Sequence, residues 1–222
     1  MQRELDVKKK RPQFLGIVGG SGAGKTWLAD QLKQAIGKEA AILSLDHFYK
    51  DRSHLSPARR KSINFDNPRA IDWKTLQTVL LKYQRGESVS LPRYDFATHT
   101  VLDKRTVLPP KRVVIIEGLW LFRPVWLRKL FSLRVFVNCP EATRRARRLK
   151  RDLQQRGRTR HSVCNQFDAC VSPMHTRYVE PQKRVADIIL DSPINLNQLN
   201  KLVTEVKTRL LPSYARRSNS TH

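Results

Sequence analysis

Apolar runs and apolar stripes alternate along the chain and fix the elements it should form. Phe14-Leu15-Gly16-Ile17-Val18 is apolar at successive positions, the mark of a strand buried on both faces, and predicts a strand over 13–18. Trp27, Leu28, Leu32 and Ile36 then form an apolar periodic segment and predict a helix ending near Ile36. Residues 41–45 read as a second buried strand that ends at Asp46-His47-Phe48-Tyr49. Residues 51–64 are polar and basic, a loop or short helix, and Asn64-Phe65-Asp66-Asn67-Pro68 is a turn. A helix capped by Asp72 follows, with Leu76, Val79, Leu80 and Tyr83 on one face and a stop near Gly86. Short β-like pieces at 89–91 and 106–108 flank 92–100, which predicts a small hairpin carrying exposed aromatics and a histidine.

The clearest buried strand is 113–118, apolar until Glu117, and 133–137 is another. The helix expected over 141–155 has an apolar stripe of Ala142, Ala146, Leu149 and Leu153, with Arg144, Arg148 and Arg151 on the opposite face, and Gly157 breaks it. A helix over 162–171 presents Val163, Phe167, Cys170 and Val171 and should break or kink at Pro173. Residues 186–190 read as a last strand. Asn195 and Gln198 offer a capping box to a final helix over 196–211, closed by Pro212. Strands alternating with helices predict an α/β fold with a mostly parallel sheet flanked by helices.

At 222 residues the chain suits one α/β domain with a small insertion. The division expected is a basic N-terminal tail at 1–12, a single domain at 13–211 with a hairpin insertion at 88–109 and a lid at 144–166, and a C-terminal tail at 212–222. Lys8-Lys9-Lys10-Arg11 and Arg216-Arg217 read as solvated tails. No apolar run reaches membrane-spanning length, and no signal peptide is apparent. Cys139, Cys164 and Cys170 are odd in number and lack metal-site spacing, which favours a reducing, cytoplasmic setting and small buried side chains. The charge is unusual: 43 Lys+Arg against 19 Asp+Glu, formally +24, implies attraction to polyanions. A nucleic-acid-binding protein therefore stays open, although no zinc-finger, RNP-type or basic-zipper pattern occurs.

Candidate chemistry begins at Gly19-Gly20-Ser21-Gly22-Ala23-Gly24-Lys25-Thr26, between the first strand and the first helix. It contains G-x-x-x-x-G-K-[ST], the P-loop pattern. Glycines let the backbone curl so that successive N–H groups converge, and the helix N-terminus adds partial positive charge. Lys25 is placed to reach the β- and γ-phosphates of ATP or GTP, and the Thr26 hydroxyl to ligate Mg²⁺. Glu117, ending the most apolar strand, is the candidate acid to share the metal; otherwise it is a carboxylate meeting solvent. Asp46 ends the second strand, where ligands gather in open α/β sheets, and is the candidate to accept a proton from an attacking hydroxyl; otherwise it caps a helix. Arg148, Arg151, Arg156 and Arg158 suggest a lid closing over the nucleotide, or else a solvated helix face. Tyr94, Phe96 and His99 suit recognition of a base, or else pack the hairpin. Asp66 suits ribose hydroxyls, or else serves a turn. No N-K-x-D guanine-reading segment occurs, which speaks against a GTPase switch.

In their order and spacing these stretches, with Arg148-Leu149-Lys150-Arg151-Asp152 and Arg156-Gly157-Arg158, resemble the uridine kinase (uridine–cytidine kinase) family, within the group that includes phosphoribulokinase. The resemblance runs from about residue 14 to about residue 190. It implies a P-loop NTPase fold and transfer of the ATP γ-phosphate to the 5′-hydroxyl of uridine or cytidine, a reaction of pyrimidine salvage. Asp46 would match the catalytic aspartate, Asp66 the ribose-binding residue, and Tyr94, Phe96 and His99 the base-recognition hairpin. Arg148 and Arg151 would match lid arginines beside Lys25 in catalysis, Arg156 would lie on the nucleotide side, and Arg158 and Gln166 on the nucleoside side. Members of the family are often tetramers, which leaves a homo-oligomer open. The chain departs from the family at Asn67, where His is frequent, at Thr100-Val101, at Phe167 in place of Tyr, and over 119–126. Kinases of the phosphoribulokinase, pantothenate or nicotinamide riboside type remain alternatives, with Tyr94 and Phe96 favouring a flat base over a sugar phosphate.

Overall fold

Phe14, Leu15, Ile17 and Val18 are all withdrawn from solvent because β1 (Gln13–Gly19) is the middle strand of a five-stranded sheet. The computed structural model describes residues 11–212, so Lys8, Lys9, Lys10, Arg216 and Arg217, read above as solvated tails, lie outside the described residues. β1 runs parallel to β5 (Val113–Gly118) on one side and to β6 (Phe131–Asn138) on the other. β2 (Ala40–Ser44) adds outside β5 and β7 (Ile188–Asp191) outside β6, both parallel, which gives the order β2-β5-β1-β6-β7.

Successive residues of the central strands feed different cores. Leu15, Ile17, Val113 and Ile115 meet Leu28, Leu32 and Ile36 of α1 (Lys25–Ile36) and Leu202, Val206 and Leu210 of α8 (Leu196–Leu210). Phe14, Val18, Val114 and Ile116 face the opposite way, toward Leu76, Leu80 and Tyr83 of α3 (Trp73–Gln84) and the aromatic segment Trp120 to Phe122. Both faces are covered, as a parallel sheet requires. The expected caps are present: the Asp72 side chain accepts from Thr75 N, and Asn195 and Gln198 form a capping box. Between β2 and α3 the chain makes a turn at Leu45–Phe48, so Leu45 leaves the strand, and then α2 (Pro57–Lys61), capped by Ser56.

The hairpin differs from its expected form. β3 (Val89–Asp95) and β4 (Thr100–Leu108) are long antiparallel strands rather than two short pieces. Pro92 sits at a register irregularity between Leu91 and Arg93, where a missing ladder donor is tolerated. Tyr94 was expected to be exposed, yet it is buried against Tyr49, with ring centroids 5.1 Å apart.

A larger correction concerns α5 (Glu141–Gln155), which follows β6 after the short α4 (Val125–Arg128). Its buried positions are Arg144, Arg148 and Asp152, while Ala142, Ala146 and Leu153 are exposed and Leu149 is half-buried. The stripe is inverted because the inward face meets backbone carbonyls and carboxylates rather than an apolar layer.

Beyond α5, α6 (Arg160–Gln166) does not end at Pro173. It continues through a π turn (Phe167–Val171), a single turn α7 (Ser172–Met174), a second π turn (His175–Val179) and a 3₁₀ segment (Glu180–Val185). Widened turns on both sides accommodate a proline that would otherwise clash with the preceding turn and lacks an N–H to give. Cys139 is buried as expected, but Cys164 and Cys170 are only half-buried, and all three are free. No helix of the described residues is long and apolar enough to cross a membrane.

Candidate active site

The C-terminal ends of β1, β2 and β5 open into a cavity of about 710 Å³, roofed by α5 and the segment after it. At its floor the chain leaves β1 through Gly20 to Gly24. Gly24, at φ 101°, precedes the first residue of α1, and Gly22 has φ 82°, both in the left-handed region that favours glycine. A Cβ on Gly22 would lie 2.5 Å from the Arg144 carbonyl oxygen, so α5 presses directly on the loop. The free N–H groups of a twelve-residue helix therefore open toward the cavity. Lys25 Nζ donates to the Gly20 carbonyl at 3.0 Å. Burial lowers its pKa, and Glu117 and then Asp46 oppose that shift.

Glu117, expected at a strand end, is buried rather than solvated, and Ser44 Oγ donates to its Oε1 at 2.5 Å. Burial raises the Glu117 pKa, with Lys25 the main opposing charge. The Thr26 hydroxyl and the Asp46 carboxylate line the same cavity. Among the described residues no group of three or more His, Cys, Asp or Glu side chains forms a metal cage. Mg²⁺ does not require one: it takes one or two carboxylates, water and substrate phosphates, all hard oxygen donors. Thr26, Glu117 and Asp46 are donors of that kind, so these residues fit the ion.

The other end of the cavity is aromatic. His99 stacks on Phe65, with ring centroids 4.1 Å apart and planes within 10°. Tyr94 lies 5.2 Å from Phe96, and both rings contact Tyr49. His99 has φ 58°, unusual for a residue with a side chain, and the hairpin tip holds it there: Asp95 accepts from Ala97 N at 2.8 Å and from Thr98 Oγ1 at 2.7 Å. Burial lowers the His99 pKa, and Arg158 and Arg156 add to the shift. The ring is therefore neutral at pH 7, with one donor and one acceptor nitrogen. Asp66, next in the chain after Phe65, lines the same cavity and is buried, and burial raises its pKa against the opposing charge of Arg148.

Arg148 joins these parts. Its Nη1 lies 3.0 Å from Ser21 Oγ and 3.4 Å from Asp66 Oδ1, and its Nη2 lies 3.0 Å from Gln166 Oε1. Asp152 is fully inaccessible and gathers four guanidinium groups: Arg151 at 2.9 Å, Arg148 at 3.5 Å, Arg156 at 3.6 Å and Arg158 at 3.7 Å. Arg156 also lies over the Phe96 ring, 4.5 Å from its centroid, and Arg158 donates to Gln166.

Of the residues singled out in the sequence, Ser21, Gly22, Gly24, Lys25, Thr26, Asp46, Asp66, Tyr94, Phe96, His99, Glu117, Arg148, Arg151, Arg156, Arg158 and Gln166 line this one cavity. Gly19, Gly20 and Ala23 do not; Gly19 ends β1, and Gly20 and Ala23 belong to the loop behind the cavity. Tyr49, Phe65, Trp27, Arg147 and the anchor Asp152 were missed as functional candidates. Tyr49 and Phe65 stood beside Asp46 and Asp66 in the stretches already quoted, and that adjacency was the signal. Asp152 carried one too, as the acid that follows a run of arginines and lysine on one helix.

The model of the phosphoribulokinase / uridine kinase family matches residues 14–197. A uridine kinase from Clostridium perfringens is 39% identical over 182 residues, covering 82% of this chain and 88% of that protein. A uridine kinase from Lactobacillus johnsonii is 39% identical over 207 residues, covering 92% and 98%. Among solved structures, phosphoribulokinase from Rhodobacter spheroides is similar with a TM-score of 0.62 at 18% identity, covering 82% of this chain and 70% of that one, a likeness of fold.

Proposed function

This chain belongs to the phosphoribulokinase / uridine kinase family, and we propose that it transfers the γ-phosphate of ATP to the 5′-hydroxyl of uridine or cytidine, as a step of pyrimidine salvage. One observation carries the reading: a single cavity holds a P-loop at one end and, at the other, an aromatic box with a neutral histidine and a buried aspartate. Asp46 is close enough to both ends to bias the ionisation of Lys25 on one side and of Tyr49 and Asp66 on the other.

In this reading the loop N–H groups and Lys25 hold the β- and γ-phosphates of the donor. Thr26 and Glu117 hold Mg²⁺, which when bound neutralises charge on the phosphate oxygens. Asp46 orients the acceptor hydroxyl and takes its proton. Asp66 accepts from the ribose hydroxyls, and the rings of Phe65, Tyr94 and Phe96 flank the pyrimidine while His99 addresses its edge. Arg148 and Arg151 place fixed positive charge beside the migrating group, Arg156 faces the nucleotide, and Arg158 with Gln166 faces the nucleoside. Closure of α5 and its following segment excludes water, so that a hydroxyl of the bound acceptor is phosphorylated in its place. Three unpaired thiols suit a reducing cytoplasm.

The test is a coupled ADP-release assay with uridine, cytidine, ribulose 5-phosphate, pantothenate and nicotinamide riboside as acceptors, and with ATP and GTP as donors. Turnover with uridine or cytidine is expected. No turnover with either pyrimidine nucleoside, under conditions where another acceptor is phosphorylated, would overturn the assignment of the acceptor.

A further inference from the structure

The residue after the P-loop threonine is used by neither the core nor the acceptor site. Trp27 reads in the sequence as part of the apolar face of α1, but that face consists of Leu28, Ala29, Leu32 and Ile36. Trp27 is instead 46% exposed and lines the cavity with Gly24, Thr26 and Arg147. Arg147 is held at this end by three contacts of its Nη1, at 2.9 Å from Ser192 Oγ, 3.5 Å from the Ala23 carbonyl and 4.0 Å from Cys139 Sγ.

The other rings that line the cavity, Tyr49, Phe65, Tyr94, Phe96 and His99, are linked by ring contacts into one cluster with Asp66 beside it. Among the described residues, Trp27 makes no ring contact with that cluster. A triphosphate held by Lys25 and Thr26 must present its γ-phosphate toward Asp46 and the acceptor. Its nucleoside then leaves the loop at the opposite end, where Trp27 and Arg147 stand. A large ring left in water beside a nucleotide path is an unfilled stacking surface, since every base has a π-face.

We propose that Trp27 is the stacking platform for the nucleobase of the phosphate donor, with Arg147 flanking it. The site takes a flat nucleobase attached to a triphosphate, and because stacking tolerates any base, it holds ATP and GTP alike. This rests on the reading of Lys25 and Thr26 as the triphosphate cradle.

The experiment titrates the full chain, with Mg²⁺ present, with ATP and with inorganic tripolyphosphate, which has no base. Wild type, Trp27→Ala and Trp27→Phe are compared by calorimetry. Truncating a base-stacking aromatic weakens binding roughly five- to 150-fold. Trp27→Ala should therefore weaken ATP by about fivefold or more, leave tripolyphosphate unchanged and leave the KM for the nucleoside unchanged, while Trp27→Phe restores most of the ATP affinity. Equal weakening of ATP and tripolyphosphate, or unchanged ATP binding in Trp27→Ala, overturns the stacking role while the cradle stands. A wild-type chain that binds neither ligand overturns both.

Discussion

Replacing Asp152 by Asn keeps the volume of the side chain and removes its charge, so the consequence is electrostatic rather than a cavity. Asp152 is fully inaccessible, and its carboxylate is approached by Arg148, Arg151, Arg156 and Arg158. The four interactions do not count equally. The Arg148 side chain is only 7% exposed, whereas Arg151, Arg156 and Arg158 are 34%, 26% and 27% exposed and can recover hydration. The loss is therefore that of one broken buried pair, about 3–5 kcal/mol, not four times that. The new amide N–H groups would also face guanidinium donors. For a domain of this size such a loss lowers Tm by roughly 6–20 °C. Because the variant leaves the arginines in mutual repulsion, a polyanion that neutralises them should restore part of the loss. Thermal melts of wild type and Asp152→Asn, with and without ATP or tripolyphosphate, are the assay. A Tm within about 2 °C of wild type, less than even 1 kcal/mol would produce, would refute the idea that Asp152 anchors the cluster. A large drop that polyanions leave untouched would refute the electrostatic account of it.

Asp46→Asn should lower kcat by roughly 10²–10⁴-fold, the usual contribution of a positioned base, with ATP binding by calorimetry retained; turnover within about tenfold of wild type would remove Asp46 from the role of base. His175 supplies a pH test of stability. Its pKa is lowered to about 4, by burial first and then by Arg144, with Glu180 opposing. The unfolded imidazole titrates near 6.5, so between those values the unfolded chain binds a proton that the folded chain does not, and stability falls as the pH drops through this window. From pH 7.5 to 5 the His175 contribution to that loss is about 2 kcal/mol. His175→Gln should flatten the acid side of the Tm–pH curve, and an unchanged slope would refute the assignment.

The fold was legible because its strands are buried on both faces. Val113 to Ile116 can sit nowhere but inside a covered sheet, and the caps at Asp72 and Asn195 are local hydrogen-bond requirements that neighbours satisfy. The P-loop was legible for a similar reason, since the left-handed φ at Gly22 and Gly24 restricts residue choice locally. Three errors share one cause. The inverted face of α5, the burial of Tyr94 and the outward position of Trp27 all depend on what a distant segment places opposite. Hydrophobic periodicity assumes that the inward neighbour is apolar. Opposite α5 it is instead the Cys139 carbonyl, Ser21 and Asp66, which pair with Arg144 and Arg148. At Pro173 the cause is local instead: a proline interrupts the regular α-helix, and the chain stays helical past it by widening into π turns on both sides.

The inversion of α5 also changes the meaning of the charge. Read from composition, an excess of 43 basic over 19 acidic residues suggests a surface drawn to polyanions. Part of that excess faces inward, over the P-loop. Arg144 and Arg148 are almost wholly buried, and the four guanidiniums around Asp152 outnumber the carboxylates within reach, Asp152 and Asp66. Such an arrangement is held in register by the anchor and still lacks anions. A triphosphate entering the cavity supplies them, so the affinity of the site for its donor and the ordering of its roof become one electrostatic event. Salt should then weaken donor binding steeply and acceptor binding little, because the aromatic end of the cavity recognises its ligand by stacking and neutral hydrogen bonds.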